Sequence, residues 1–362
     1  GFSKPSTSGR ENYLKAEHLN TSGLYSIVRN PLYVGNFLIY NDVLLAYASP
    51  AGLALFNLPA RPIFCDPPAY LTGLFDLHKR DKKYYFWKNL PIWVEPLRPA
   101  KPAMTGKGIG KAIKQAFLDD PKAIAILEDM QFPEIEWFTD NMFDRMIECG
   151  IAEQNGACVA AALASEGFVP VINNFLFAGM GRAYNQIRQS ILVDRFNVKF
   201  IAREGIWGEV GVSHATIEGW GSLRVLPNLV MINPADAVEA EKASIAMMQY
   251  MGPAVIKQEM SPDPFSIFTD DYQFDIGKAY SLRDGKDATI VATGYLVTEA
   301  IKAVDLLEKE GLDVGVLNVS TLKPLDEEAI VAAAERTGAI VTAENSSEIN
   351  GLGDAVACVL CE

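Results

Sequence analysis

The chain has 362 residues, of which 49% are hydrophobic and 21% charged, so it can bury a sizeable core and is not a disordered protein. Its formal net charge of −13 argues against nucleic acid as a partner, and its three histidines exclude a histidine-rich metal site. The five cysteines are scattered without a disulfide pattern, which favours a reducing, cytoplasmic compartment.

The charge changes sign along the chain. Residues 1–102 hold 12 basic against 7 acidic side chains, whereas the remainder holds 20 against 38. The first part also has proline-rich stretches and no alternation of strands and helices, so we predict an irregular N-terminal extension over 1–102. An apolar run at 43–58 is short for a membrane span, which needs about 20 residues, so membrane association of residues 1–60 is not the favoured interpretation.

From about residue 103 the pattern becomes regular. Strands are predicted over 123–127, 169–172, 198–202, 229–232 and 254–258. Helices are predicted over 109–118, 153–167, 182–193, 215–226 and from 236 onward. Short apolar strands that alternate with helices predict a parallel sheet covered on both faces. Asp236, with Glu239 three residues later, predicts a capping box at the last of these helices.

A turn-rich linker over 261–286 leads to a second, smaller α/β unit. Its predicted strands are 288–293, 314–320 and 339–344, and its predicted helices are 297–310, one capped by Asp326 and one from Gly353. Parallel α/β sheets bind ligands at the carboxyl ends of their strands. We therefore expect functional side chains in the segments that follow each strand.

Glu153 is the first candidate. It opens a mostly apolar helix within CGIAEQNG, residues 149–156. A carboxylate there has an ordinary structural explanation, because acidic side chains stabilise helix N-termini. Gln154 and Asn155 add polar groups where the helix begins to pack, which that explanation does not require.

The sequence motifs around and after Glu153 resemble those of the transketolase-like family. IAEQN, VAAALASEG, RAYNQIRQSI and LPNLVMINPADAVEA occur in this order, followed by ATIVATGYLVTEAIKAVDLLEKEG, VLNVSTLKPLDEEAI and GAIVTAEN. The resemblance covers about 103–362. It implies an α/β fold with a parallel-sheet pyrimidine-binding domain, 103–265, and a smaller, truncated transketolase C-terminal domain, 275–362. It also implies thiamine diphosphate as the cofactor.

The resemblance assigns roles to individual side chains. Glu153 matches the glutamate that hydrogen-bonds N1′ of the aminopyrimidine ring and so promotes loss of the thiazolium C2 proton. Phe175 matches an aromatic that stacks on the pyrimidine, and Phe177 stands one place before the usual second aromatic. His214 matches a histidine that faces the substrate carbonyl, and Arg203 matches an arginine for the acceptor phosphate. The alternatives are core phenylalanines, a structural histidine and a surface arginine.

Several positions depart from the family pattern. Val210 replaces an aspartate that contacts sugar hydroxyls, and Met260 and Gly106 stand where arginines are usual. The loop after the first strand reads QFPEIEW at 131–137, and Ser346 replaces a histidine. These losses predict either an acceptor other than a standard phosphosugar or a weakened paralogue.

A further absence concerns the diphosphate. The family holds Mg²⁺ and the diphosphate with a GDG motif in a separate domain, and this sequence has no such motif. The resemblance therefore implies the small subunit of a split enzyme, whose larger partner subunit carries the diphosphate-binding domain and most of the Mg²⁺ site. A homodimer or a heterotetramer is expected.

The leading prediction is transfer of a two-carbon ketol unit between a ketose and an aldehyde, with a small sugar as substrate. One alternative is decarboxylative condensation of pyruvate, as in the 1-deoxyxylulose-5-phosphate synthases, which Arg203 favours. Another is a catalytically degenerate subunit that only pairs with a partner.

Residues 19–39, LNTSGLYSIVRNPLYVGNFLI, are different in character. They resemble a fragment of the isoprenylcysteine/phospholipid methyltransferase family, whose RHPxY element lies near S-adenosylmethionine. Here that element reads RNPLY at 29–33, and the downstream acidic pair is missing. We therefore interpret 1–102 as a methyltransferase-like fragment joined to the enzyme part, and methyl transfer is not favoured.

Overall fold

The computed structural model describes residues 104–130, 132–205, 214, 216–259 and 266–361. The extension predicted over 1–102, with its methyltransferase-like segment, lies outside these residues, as do Val210 and Met260. The described residues belong to one compact unit. None of its described helices is long and apolar enough to cross a membrane.

The strands of the described part form two sheets. They are β1 Ala123–Leu127, β2 Met146–Glu148, β3 Val169–Phe175, β4 Lys199–Glu204, β5 Val230–Ile232, β6 Ala254–Glu259, β7 Tyr280–Arg283, β8 Ala288–Ala292, β9 Val314–Asn318, β10 Thr321–Lys323 and β11 Ile340–Ala343. The first sheet has the order β10-β5-β6-β4-β3-β1-β2, and the second has the order β11-β8-β9-β7. Neighbouring strands run parallel, except β10 beside β5 and β7 beside β9.

Helices cover these sheets. They are α1 Met104–Asp119, α2 Ile135–Asn141, α3 Glu153–Ser165, α4 Tyr184–Gln186, α5 Gly219–Arg224, α6 Ala237–Gln249, α7 Leu296–Lys309, α8 Glu327–Thr337 and α9 Leu352–Cys361. The helix predicted over 182–193 is present over 184–192, mostly as π-helix rather than α-helix. Only α4 is α-helical, and π-helical turns at Leu176–Gly181 and Ile187–Leu192 flank it. Such π-turns are frequent at functional sites.

The first sheet has a buried core on each of its faces. Ile201 of β4 and Ile256 of β6 pack with α1 and α6 on one face. Their neighbours Phe200 and Val255 pack with α3 and α5 on the other. Successive side chains of a strand point to opposite faces, so strands covered on both faces must be apolar throughout. This explains the uninterrupted apolar runs of the sequence and confirms the predicted α/β fold.

Two expectations about the strands are wrong. The linker predicted over 261–286 contains β7, which pairs antiparallel with β9 at the edge of the second sheet. β7 is partly exposed and carries polar side chains, so it shows no apolar run. The strand predicted over 314–320 ends at Asn318, and β10 then completes the first sheet in antiparallel orientation. The domain ranges 103–265 and 275–362 stay predictions.

The start of α6 is capped as predicted, but not by a complete capping box. Asp236 Oδ1 accepts the Glu239 N–H at 2.8 Å, and its Oδ2 accepts the Ile267 N–H at 2.6 Å. The Glu239 carboxylate does not accept the Asp236 backbone N–H, which is the second hydrogen bond of a capping box. Its carboxylate accepts the Ala235 N–H at 2.7 Å and the Asn318 amide of β9 at 2.8 Å, because the side chain is fully buried between the two sheets.

Lys257 of β6 is a fully buried lysine that connects the first sheet to the segment after β11 of the second sheet. Its Nζ lies 2.9 Å from Glu259 Oε1 and 3.7 Å from Glu204 Oε2, and it donates to the Asn345 carbonyl at 2.9 Å. Burial lowers the pKa of Lys257, but Glu259 and Glu204 more than offset it, so this pKa lies above its ordinary value. Burial also raises the pKa of Glu204 to about 7, against the opposing charge of Lys257.

Both carboxylates around Lys257 also accept backbone N–H groups at helix starts. Glu204 Oε1 accepts the Gly219 N–H of α5 at 2.7 Å. Glu259 Oε2 accepts the Tyr295 N–H at 2.5 Å, immediately before α7. The first N–H groups of a helix need partners outside the helix, and buried anions satisfy them well. Lys257 therefore balances the charge of the groups that begin two helices.

We predict that Lys257→Met lowers the free energy of unfolding by about 3–5 kcal/mol, because it leaves two buried carboxylates without their cation. Urea denaturation at neutral pH measures the change. Lys302→Met is the control, since the Lys302–Glu299 pair is 46% and 40% exposed. An exposed pair contributes about 1 kcal/mol or less, so equal losses in the two variants would contradict the role given to Lys257.

Candidate active site

The carboxyl edge of the first sheet brings the candidate side chains together. Phe175, the last residue of β3, is opposite Arg203 of β4, which is opposite Gln258 of β6. On the other side of β3, β1 ends at Leu127 and is followed by Glu128. The candidate side chains thus lie at the ends of the adjacent strands β1, β3, β4 and β6, the edge at which the sequence predicts functional groups.

Glu153 is the first residue of α3, where the negative charge interacts favourably with the helix dipole. Its side chain is 12% exposed, and its Oε1 accepts a hydrogen bond from an Arg182 guanidinium nitrogen at 2.9 Å. Arg182 is itself 54% exposed. The charge of this carboxylate is therefore balanced by a residue that comes from the segment just after the first π-helical turn.

His214 lies against Phe175. The two ring centroids are 4.6 Å apart, with an interplanar angle of 69°. Burial and then the charge of Arg182 lower the pKa of His214, while Glu153 opposes the shift. The lowered pKa favours the neutral imidazole at pH 7, and His214 lies within electrostatic reach of the Glu153–Arg182 pair. Of the GEVGVSH segment only His214 is among the described residues.

The other two predicted side chains occupy the same region. Arg203 is partly buried at the end of β4, and this burial lowers its pKa. Phe177 lies on the π-helical turn after β3, 41% exposed, with its ring next to Gly181. Its exposure excludes the core role considered for it. Glu153, Phe175 and His214 are thus brought together with Arg182, and Arg203 lies beside Phe175.

The described departures from the family pattern have structural consequences. Gly106, in the first turn of α1, faces Gln258, and a larger side chain there would have to displace the Gln258 amide. Ser346 donates to Glu344 Oε2 at 2.5 Å, and Glu344 in turn accepts the Leu352 N–H of α9 at 2.9 Å. At Gly106, therefore, the neutral Gln258 amide occupies the place where the family pattern has an arginine. Ser346 instead orients Glu344, which accepts an N–H at the start of α9.

Two side chains near Glu153 were not singled out from the sequence. Arg182 lies inside the quoted RAYNQIRQSI segment, but its pairing with Glu153 joins residues 29 apart. Glu128 is buried, and its carboxylate accepts a hydrogen bond from Asn174. The sequence feature that points to Glu128 as a candidate is its position as the first polar residue after the apolar strand 123–127.

We predict that Arg182→Met raises the pKa of His214 towards its ordinary value, because it removes a positive charge and leaves Glu153 unopposed. Titration of the imidazole signals by NMR measures this, with His214→Gln used for assignment among three histidines. Arg188→Met, which removes an exposed arginine from the same segment, is the control. A His214 pKa unchanged by Arg182→Met would contradict the described site.

Two family models match the chain. Residues 101–259 match the pyrimidine-binding domain of transketolase, and residues 277–362 match the transketolase C-terminal domain.

Curated relatives and a solved structure agree with these matches. A 6-deoxy-6-sulfo-D-fructose transketolase subunit of Clostridium sp. is 37% identical over 67% of this chain and 76% of its own length. An apulose-4-phosphate transketolase subunit of Phocaeicola vulgatus is 33% identical over 62% of this chain and 73% of its own. A split gene transketolase, solved as an inactive beta4 tetramer, superposes with a TM-score of 0.66 at 37% identity over 72% of this chain and 86% of that one. The chain therefore belongs to the transketolase family.

Proposed function

We propose that this chain is the small subunit of a split transketolase that transfers a two-carbon ketol unit, with Glu153 as the carboxylate that activates thiamine diphosphate. One observation carries the proposal. Glu153 begins α3 with its carboxylate held by Arg182, and this pair lies at the same edge of the sheet as the Phe175–His214 ring contact.

The chemistry of these groups fits the ring part of thiamine. When bound, thiamine diphosphate supplies a nucleophilic carbon that takes up and releases the ketol unit. Glu153, 12% exposed, would form a hydrogen bond with ring nitrogen N1′ and share a proton with it. Phe175 and Phe177 would pack against the ring. A carboxylate next to aromatic side chains offers both contacts that an aminopyrimidine needs.

His214 and Arg203 would act on the substrate. A neutral imidazole can donate a hydrogen bond to the carbonyl oxygen of a sugar and accept or return a proton there. Arg203, at the neighbouring strand end, would bind an anionic group of the acceptor by paired hydrogen bonds. The two residues thus divide proton transfer and substrate positioning between them.

The diphosphate and Mg²⁺ would be held mainly by a larger partner subunit. Within the described ranges no group of three His, Cys, Asp or Glu side chains could hold a metal ion. The P. vulgatus relative is named as one subunit of a transketolase, and the solved relative comes from a split gene. We therefore propose that a homodimer of this chain assembles with the partner subunit into a cytoplasmic heterotetramer whose active sites form between chains.

Residues at the same edge of the sheet support a proposal for the substrate class. We propose a ketose donor and an aldehyde sugar acceptor that is not bound through a cation at position 106, since Gly106 faces the neutral Gln258. Arg203 supports a second candidate, decarboxylative condensation of pyruvate with an anionic acceptor, because it places a cation at the end of β4. Adding pyruvate in place of a ketose distinguishes the two reactions by the release of carbon dioxide.

We predict that Glu153→Gln lowers the rate of thiamine C2 proton exchange by about 100-fold or more, because an amide cannot share the N1′ proton. The chain is co-expressed with a partner that carries the diphosphate-binding domain, and exchange is followed by NMR in deuterium oxide. Glu166→Gln, at the exposed C-cap of the same helix, is the control.

Two outcomes would reject parts of the proposal. Full exchange in Glu153→Gln would remove Glu153 from the chemistry. A wild-type complex that assembles but binds no thiamine diphosphate would favour a catalytically degenerate subunit.

A further inference from the structure

Glu128 is a buried carboxyl group next to the proposed cofactor residues. Glu128 is the residue that follows β1, and it is 5% exposed. Asn174 Nδ2 donates a hydrogen bond to Glu128 Oε2. The orientation of that amide is set, because Asn174 Oδ1 accepts the Phe175 N–H at 2.7 Å. Glu128 is therefore tied to the end of the strand that carries Phe175.

The other oxygen of Glu128 faces the first turn of α3. A methyl group placed on Gly156 would overlap Glu128 Oε1, so the carboxyl group occupies the space that this glycine leaves open. Gly156 lies in the helical turn that begins with Glu153. Glu128 thus lies between the backbone that carries Glu153 and the strand that carries Phe175.

The charged groups that face Glu128 are acidic. They are Glu153 of α3 and Glu148 of β2, while Asn174 of β3 is a neutral donor. Burial, then Glu153 and then Glu148 raise the pKa of Glu128 to about 8, and the Asn174 hydrogen bond opposes them. Nearby, burial, Glu128 and Glu148 raise the pKa of the Cys149 thiol to about 11. Near pH 7, therefore, Glu128 keeps its proton and Cys149 is uncharged.

We propose that Glu128 is a positioning residue: its carboxyl group is hydrogen-bonded to Asn174 and packed against the first turn of α3 at Gly156, and it so holds Glu153 and Phe175 at their working separation. This inference rests on the function proposed above. Glu128 acts through Glu153 and Phe175, and no step of the reaction occurs at its own atoms.

Ionisation of Glu128 would disturb this arrangement. A second negative charge beside Glu153 would be repelled, and little water screens the interaction because Glu128 is 5% and the Glu153 side chain 12% exposed. Repulsion between an ionised Glu128 and Glu153 would push the first turn of α3 away from the end of β1, whereas the exposed Glu148 of β2 adds a weaker, solvent-screened repulsion. The site is therefore expected to lose its geometry above about pH 8, where the proton leaves.

The first test uses the full chain without cofactor and follows the ring signals of His214 by NMR. His214 reports the geometry, since its ring lies 4.6 Å from that of Phe175 and senses the charge of Glu153. At pH 7, Glu128→Ala should shift the His214 signals, whereas Glu128→Gln, which mimics the protonated group, should restore them. The wild-type signals should also show an inflection at about pH 8 that Glu128→Gln lacks. His214 signals that Glu128→Ala leaves unchanged would overturn the proposal.

The second test measures thiamine C2 exchange in the complex with the partner subunit. Glu128→Ala should slow exchange by about tenfold, and Glu128→Gln should recover at least half of the loss. The wild-type rate should fall above about pH 8, and the Glu128→Gln rate should not. A Glu128→Gln profile with the same alkaline fall would overturn the proposal. A wild-type complex without exchange would reject the proposed function instead, and the cofactor-free NMR test would then decide the positioning role.

Discussion

The buried ammonium group of Lys257 is the interaction on which the carboxyl edge of the sheet depends. It balances Glu204 and Glu259, and each of these carboxylates satisfies a backbone N–H at the start of a helix. It also donates to the Asn345 carbonyl, after the last strand of the second sheet. Removing two carboxylates from water costs several kcal/mol per ion unless a cation and well-aligned donors replace the solvent. A single side chain thus joins β4, β6 and the C-terminal part of the chain.

The position of Lys257 matters for the candidate site because its partners are neighbours of the functional groups. Glu204 follows Arg203, and Glu259 follows Gln258, on adjacent parallel strands. The carboxylates of Glu204 and Glu259, bound to Lys257, hold the ends of β4 and β6 together. Successive side chains of a strand point to opposite faces, so Arg203 and Gln258 point to the other face of the sheet. The backbone positions of Arg203 and Gln258 are therefore held by the Lys257 ion pairs, although both residues lie near the strand ends, where loops begin.

The electrostatics of the site combine charged and neutral groups. Arg182 balances Glu153, burial and Arg182 favour the neutral form of His214 at pH 7, and Glu128 retains its proton because of burial and its acidic neighbours. Pairing and burial therefore reduce the charge around Glu153, whereas Arg203 remains a cation at the end of β4. Partial neutralisation of these groups is compatible with the aromatic cofactor ring and the partner chain that are proposed to contact this edge.

The sequence determined the α/β fold and most elements of its first sheet, because strands buried on both faces must be apolar and such runs are visible without any structure. The ordered motifs also selected Glu153, Phe175, His214 and Arg203 as candidates. Only the tertiary structure decided the antiparallel edge strands, since β7 is exposed and β10 has three residues, and neither leaves an apolar pattern. It also decided that Arg182 pairs with Glu153 and that Glu128 lies between Glu153 and Phe175. These contacts join residues far apart in sequence, and the burial and neighbouring charges that set their protonation exist only after the chain has folded.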